Sequence, residues 1–256
     1  MRIKTYLLAA TLFAIVLPAR VNSQSPGSAP AAQAPLPTVK GILDRYQAAI
    51  GGNAAWMVIT TRTLTYFRQV DDGPAVTTLK SYAKAPDKRL FVLTLPDGSV
   101  RRDGCDGKSV WTEDAHGLRE QTGVGLAMRL RHCNFYSRLQ PVEFPDKARV
   151  SGIEQVEGRN AYVVEYSIVY SPDAYSKCLL YFDSDTGLLV RQDEMDSLPE
   201  GQLVQQDFYD DYRLVDGIRV PFRSRDVING HTILLRLGEV KHNVPVDDAL
   251  FIKPAK

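Results

Sequence analysis

Three kinds of side chain in this 256-residue sequence carry the chemistry of a site: clustered acids, histidines and cysteines. Between Asp183 and Asp216 stand ten Asp or Glu, with Arg191 and Arg213 among them. Asp193 with Glu194, and Asp210 with Asp211, have the composition of a glycosidase pair, in which one carboxyl protonates and the other attacks or assists. Most of these acids fall in turns or on the polar side of alternating stretches, so a solvated face is the plainer account. A surface that steers a basic partner is favoured over catalysis, and a secreted hydrolase remains the remote alternative. His116, His132, His231 and His242 lack the spacing that puts two ligands on one helix face, and no metal is expected. Cys105, Cys133 and Cys178 form no Cys-x-x-Cys motif. In an oxidising compartment two of them can pair and leave one over; three inert buried thiols fit the apolar neighbours Leu179 and Leu180 equally well.

Phosphate-binding motifs fail on inspection. Gly104, Gly107, Lys108 and Ser109 imitate the end of a P-loop, but Arg102 occupies the place of its first glycine. Ser109-Val110-Trp111 also continues as a strand where that motif needs a helix. Gly123 and Gly125 begin a dinucleotide fingerprint that Met128 breaks. No Gly-x-Ser-x-Gly elbow occurs. No catalytic residue is assigned, no cofactor is expected, and the chain reads as a non-enzyme. Lys and Arg total 31 against 30 Asp and Glu. That balance removes the basic surplus of a nucleic-acid binder. The 44% hydrophobic content marks a globular chain with a core to bury.

The elements that must position these residues follow from patterning. Arg2 and Lys4 precede an uncharged run from Tyr6 to Leu17, and Val21 and Ser23 supply small residues for cleavage before Gln24. This is the layout of a secretory signal peptide, too short for a membrane-spanning helix. Residues 24–37, rich in Pro, Ala and Ser without charge, read as a flexible linker. Residues 38–256 then form a single domain. Thr38 is a good N-cap, Gly51-Gly52 a good stop, and Val39, Ile42, Leu43, Tyr46, Ala49 and Ile50 share one helical face. From Thr60 the period becomes two, as in Tyr162, Val164, Tyr166, Ile168 and Tyr170, or Ile218, Val220 and Phe222. Turns such as Asp97-Gly98, Asp216-Gly217 and Asn229-Gly230 separate these runs, which predicts an antiparallel meander of about eleven strands that must curl. Residues 125–136 interrupt it with a second helix, apolar on two sides: Leu126, Leu130 and Cys133 on one, Met128 and Phe135 on the other. The fold class is mainly β, a curved antiparallel sheet with two or three covering helices.

Aromatic residues are spread across both helices and many strands. In a closed domain they would be core; in a half-open barrel they would line a pocket for an acyl chain. The order of several short motifs favours the second arrangement. Ile42-Leu43-Asp44-Arg45-Tyr46 leads to Ile50-Gly51-Gly52, followed by Ala85-Pro86-Asp87-Lys88-Arg89 and Asp106-Gly107-Lys108-Ser109-Val110-Trp111. Tyr181-Phe182-Asp183 precedes Thr186-Gly187-Leu188; Tyr212-Arg213 precedes Asp216-Gly217; Val244-Pro245, Phe251 and Pro254 close the series. Over residues 38–255 this set resembles the LolA/LolB-like superfamily of periplasmic carriers, the outer-membrane lipoprotein-sorting type.

The resemblance implies an incomplete β-barrel with an α-helical lid over a hydrophobic cavity. Arg89 matches a family arginine that contacts the lid. Leu90 stands where the lipoprotein chaperones carry an aromatic residue, and the lipid-anchored Cys of the receptor type is absent. The expected function is an exported periplasmic carrier, monomeric, for a lipid or the acyl chains of a lipoprotein, with an envelope membrane protein as a second class of partner. A non-transport envelope sensor or interaction domain of the same fold is the alternative. Leu43, Tyr46, Ile50, Trp56, Leu126, Leu130 and Phe135 on the helices are expected to face Phe91, Trp111, Tyr162, Tyr166 and Phe222 on the strands. Between them should lie an apolar pocket of at least about 300 Å³, with Arg89 near its mouth. Amino-terminal sequencing of the exported protein should begin at Gln24 or within a few residues; a full-length cytoplasmic product as the main species would contradict the leader assignment.

Overall fold

Period-two patterning becomes thirteen strands in one antiparallel sheet. They are β1 (Thr61–Val70), β2 (Thr77–Lys84), β3 (Lys88–Thr94), β4 (Val100–Cys105), β5 (Val110–Asp114), β6 (Gly117–Glu120), β7 (Arg149–Val156), β8 (Arg159–Ser171), β9 (Ala174–Asp183), β10 (Leu189–Leu198), β11 (Gly201–Val215), β12 (Ile218–Ile228) and β13 (His231–His242). The computed structural model describes residues 35–255 except 72, 74, 75, 199 and 200. The leader and most of the linker read from the sequence lie outside the described residues. From Leu36 onward the described chain forms one unit. The count exceeds eleven because strands as short as β6, four residues, hold too little alternation to be recognised alone.

Strand order is β6-β5-β4-β3-β2-β1-β13-β12-β11-β10-β9-β8-β7. The first six strands step outward from β1, the chain crosses to the far edge, and the last seven step back until β13 lies against β1. The edges β6 and β7 do not pair, so the barrel stays open. Six spacings of about 4.8 Å separate β2 from β9 along the sheet. Ala83 of β2 and Cys178 of β9 nevertheless belong to one core cluster, as a sheet curved around its contents allows.

Among the described residues, three α-helices cover the concave face. α1 (Val39–Ala49) starts where the Thr38 hydroxyl accepts from the Gly41 amide at 3.1 Å, and it buries Ile42 and Tyr46. Its end is held by a strand: the Arg219 amide donates to Ile50 O at 2.9 Å and its guanidinium to Ala49 O at 2.8 Å. Gly51 follows at φ +112°, where an added Cβ would stand 2.3 Å from Gly217 O, so only glycine allows this close approach. The chain then re-enters a short α2 (Gly52–Met57), whose Trp56 indole also donates to Ile50 O.

α3 (Gly123–Arg131) is shorter than the helix expected over 125–136. The Phe135 amide donates to Pro86 O instead of to a helical carbonyl, and Cys133 is disulfide-bonded to Cys105 at the end of β4. These two attachments pull the chain off the helical path. Cys178 remains a buried thiol. Residues 132–142 thus form an irregular plug that sinks Phe135, Leu139 and Val142 into the core.

The convex face carries two smaller clusters, one of them Leu90, Trp111, Val246 and Phe251 under the C-terminal segment. Trp111 therefore lies opposite to the expected face. Register explains it: Leu90, Gly104 and Trp111 are cross-strand neighbours on one side, and Phe91, Asp103 and Thr112 on the other. Gly104 makes room for the indole, since a Cβ there would come within 2.2 Å of the Trp111 ring. Gly104→Ala should therefore displace Trp111 and cost about 1–3 kcal/mol, as overpacking does. Thermal melting with near-UV circular dichroism checks this, and an unchanged melting temperature would show the slot to be slack.

Candidate binding cleft

Beside the helix-covered core the concave face holds open space. Two cavities of about 530 and 630 Å³ lie side by side there, sharing Arg138, Asp207 and Tyr209 in their walls, and together they are termed the cleft. Strand alternation supplies its walls. Arg62, Tyr66 and Arg68 point inward from β1, Arg89, Phe91 and Leu93 from β3, and Asp207 and Tyr209 from β11. The crossover adds Leu130, Arg131 and Arg138.

Of the residues singled out in the sequence, Arg89, Phe91, Leu130 and Tyr166 line this cleft. Tyr46, Ile50, Trp56 and Phe135 do not; each is at most 2% exposed and packed in the core. Leu43 and Phe222 are half-buried at the core margin. Tyr162 borders a separate pocket of about 70 Å³ beneath α1. Leu126 is half-buried on α3, away from both cavity walls. The helices meet the sheet directly, and the void lies beside them. Nor is the cleft continuously apolar. Arg62 is in phase with Leu64 and Tyr66, and Asp207 with Tyr209, so charged side chains share the inward positions. An alternation reading that sends every charge outward misses Arg62, Asp207 and Asp226; Arg138 comes from the irregular crossover, where no period applies, and Tyr209 was simply not singled out. The available signal was a charge on the apolar phase of a strand.

Three guanidinium groups dominate the inner cleft. Arg62 lies over the rings of Phe135 at 5.2 Å and Trp56 at 5.9 Å, Arg89 over Phe91 at 5.6 Å, and Arg138 over Tyr209 at 4.9 Å. Burial pulls the pKa of Arg62 and of Arg89 down to about 10, with Arg138 adding like charge to both. Burial opposes the charge on Arg138 as well, but the phenols of Tyr209, Tyr212, Tyr66 and Tyr46 outweigh it and hold its pKa high. Arg131, by contrast, is fully engaged: Nε to Glu143 at 2.7 Å, Nη1 to Glu194 at 2.7 Å and to Tyr170 Oη at 2.9 Å. It fastens the end of α3 to β10.

The paired acids of the sequence do not face each other across a gap. Asp193 and Glu194 are consecutive on β10 and point to opposite faces, Asp193 to Arg191 and Glu194 to Arg131. Asp210 pairs with Arg223 and Asp211 with Arg213. Asp183 caps the β9–β10 turn by accepting from the Thr186 amide at 2.7 Å. Asp193, Glu194, Asp210 and Asp211 are thus each neutralised by a neighbouring arginine. Among the described residues no three His, Cys, Asp or Glu converge as metal ligands, and no helix is long and apolar enough to cross a membrane. A groove of about 560 Å³ on the convex face is lined by Phe67, Phe208 and Leu234. Of its arginines, Arg223 pairs with Asp210, and Arg225 with Glu157 and with the Phe208 ring at 3.8 Å.

No family model and no curated protein matches the sequence. Solved structures do. A DUF1329 family protein from Desulfovibrio piger superposes with a TM-score of 0.57 at 19% identity, over 85% of this chain and 98% of the other. A LolA superfamily protein from Nitrosomonas europaea gives 0.52 at 14%, over 85% and 99%. A Vibrio parahaemolyticus domain described as an outer membrane lipoprotein-sorting protein gives 0.53 at 13%, over 84% and 95%. The fold is LolA-like: an open, curved antiparallel sheet with helices on its concave side.

Asp207 and Asp226 are direct cross-strand neighbours on β11 and β12. Burial raises both carboxyls above the ordinary range, and for Asp226 the charge of Asp207 adds to it. The folded protein therefore keeps protons that the unfolded chain releases near pH ~4. Stability falls as pH rises from there through the folded-state values, by up to about 1.4 kcal/mol per pH unit for each proton displaced. Asp226→Asn should flatten that fall when melting temperatures are compared across the window; an unchanged slope would show that the pair does not govern it.

Proposed function

We propose that this protein is an exported carrier of the periplasm that takes up a lipid, or the acyl chains of a lipoprotein, in the concave cleft. The observation that carries this reading is a pair of adjoining cavities of about 530 and 630 Å³ inside a LolA-like half-barrel. Leu79, Phe91, Leu93 and Leu235 provide apolar wall in the larger cavity, beside Arg68, Arg101 and Arg129, and Leu130 provides it in the smaller. Burying a chain there is worth about 0.8 kcal/mol per CH₂, enough for capture and still reversible for a partly covered chain. Arg89 and the crossover residues Leu130 and Arg138 border the same inner cavity, which fits the lid contact that the family resemblance assigns to Arg89. The signal-peptide layout read in the sequence of residues 1–23 and the likeness to a lipoprotein-sorting domain support an envelope role.

A fluorescent fatty acid should bind the purified protein and be displaced by unlabelled lipid. Phe91→Asp should weaken binding by at least about tenfold, or 1.4 kcal/mol, with a melting temperature within a few degrees of wild type. Phe67→Asp on the convex groove should leave binding unchanged. A wild-type protein that binds no amphiphile would overturn the carrier reading in favour of an envelope interaction domain.

A further inference from the structure

Arg62, Arg89 and Arg138 line one cavity, and among the described residues none of the three has a carboxylate within 4.0 Å. Arg62 is only 6% exposed, and its Nε has no hydrogen-bond partner. Arg131, by contrast, has Glu143 and Glu194, and Arg191 has Asp193; Arg68 of the adjoining cavity has no such partner either. Two of the acids that line the cavity are engaged elsewhere, and Asp87, which also lines it, stands more than 4.0 Å from all three guanidiniums. Glu194 accepts from Arg131, and the Asp207 oxygens accept from Gln205 Nε2 at 2.8 and 3.0 Å. Aromatic faces lie beside all three guanidiniums but leave their N–H edges free to donate.

Holding three like charges together without a counterion is costly in a buried place, and the cost is recovered only when an anion enters. A guanidinium fork matches the paired oxygens of a carboxylate or phosphate. We propose that these three arginines bind the anionic headgroup of the amphiphile, with its chain running outward past Phe91, Leu93 and Leu235. This deepens the carrier reading and rests on it: the cleft would select a charged amphiphile over a neutral one. Arg62 forms the floor, and Arg89 and Arg138 close on the head from β3 and from the crossover.

The test compares a fatty acid with the monoacylglycerol of the same chain, and adds inorganic phosphate as a headgroup without a chain. Wild type should prefer the fatty acid by at least about tenfold, the scale of one charge-assisted hydrogen bond. Arg89→Gln and Arg138→Gln should each lose that preference while still binding the neutral lipid. Arg62→Met should lose it too, and should also raise the melting temperature of the ligand-free protein, because an unneutralised buried charge has been removed. Equal binding of acid and neutral lipid by wild type would overturn the headgroup site and leave the carrier standing. Phosphate binding that Arg62→Met or Arg89→Gln abolishes, without any lipid binding, would keep the anion site and overturn the carrier. Binding of none of the three by wild type would overturn both.

Discussion

The structure depends on a crossing that the chain is forced to make. A meander of thirteen strands in which β13 returns to β1 leaves β6 and β7 as unpaired edges, and the chain must travel from one to the other. The route from Gln121 to Ala148 runs over the concave face. Because that face is apolar near α1, the crossing sinks Phe135, Leu139 and Val142 there instead of bridging water. Tyr46 Oη donates to Arg138 O at 2.7 Å, Tyr166 Oη to Pro141 O at 3.3 Å, and Tyr136 Oη to Ile59 O at 3.2 Å. The Cys105–Cys133 disulfide ties the same segment to β4. Together these anchors satisfy an irregular backbone that would otherwise be buried without partners.

The crossing also divides the concave surface by chemistry. Where the plug and α1 press on the sheet, packing is dry and close, with Trp56, Phe135 and Phe182 almost wholly enclosed. Where the plug ends, the strands still project inward side chains that nothing covers, and space remains. Charged groups at that boundary are held at a desolvation cost, Arg62 most of all at 6% exposure. Aromatic faces beside Arg62, Arg89 and Arg138 recover some of the lost hydration. The result is two adjoining cavities of different lining: Arg62, Arg89 and Arg138 border one, while Leu79, Leu93 and Leu235 border the other beside Arg68, Arg101, Arg119 and Arg129.

Local patterning in the sequence determined the elements: the Thr38 cap, the amphipathic face of α1, the strands, and most turns. Those features rest on interactions within a few residues of the chain, namely side-chain period, capping and the φ > 0 preference of glycine. The open half-barrel was legible through the order of weak motifs. The tertiary structure alone decided which face each strand presents to which neighbour. Trp111 and Phe91 both look like pocket residues in the sequence, but cross-strand register places them on opposite faces. Whether an inward position meets a helix or open space was likewise settled by where the crossover comes to rest. That fate separates Trp56 and Phe135, which are core, from Arg62, Arg138 and Asp207, which line the cleft. Alternation along a strand specifies a side, whereas the contents of that side depend on segments distant in sequence, and no period in the chain encodes them.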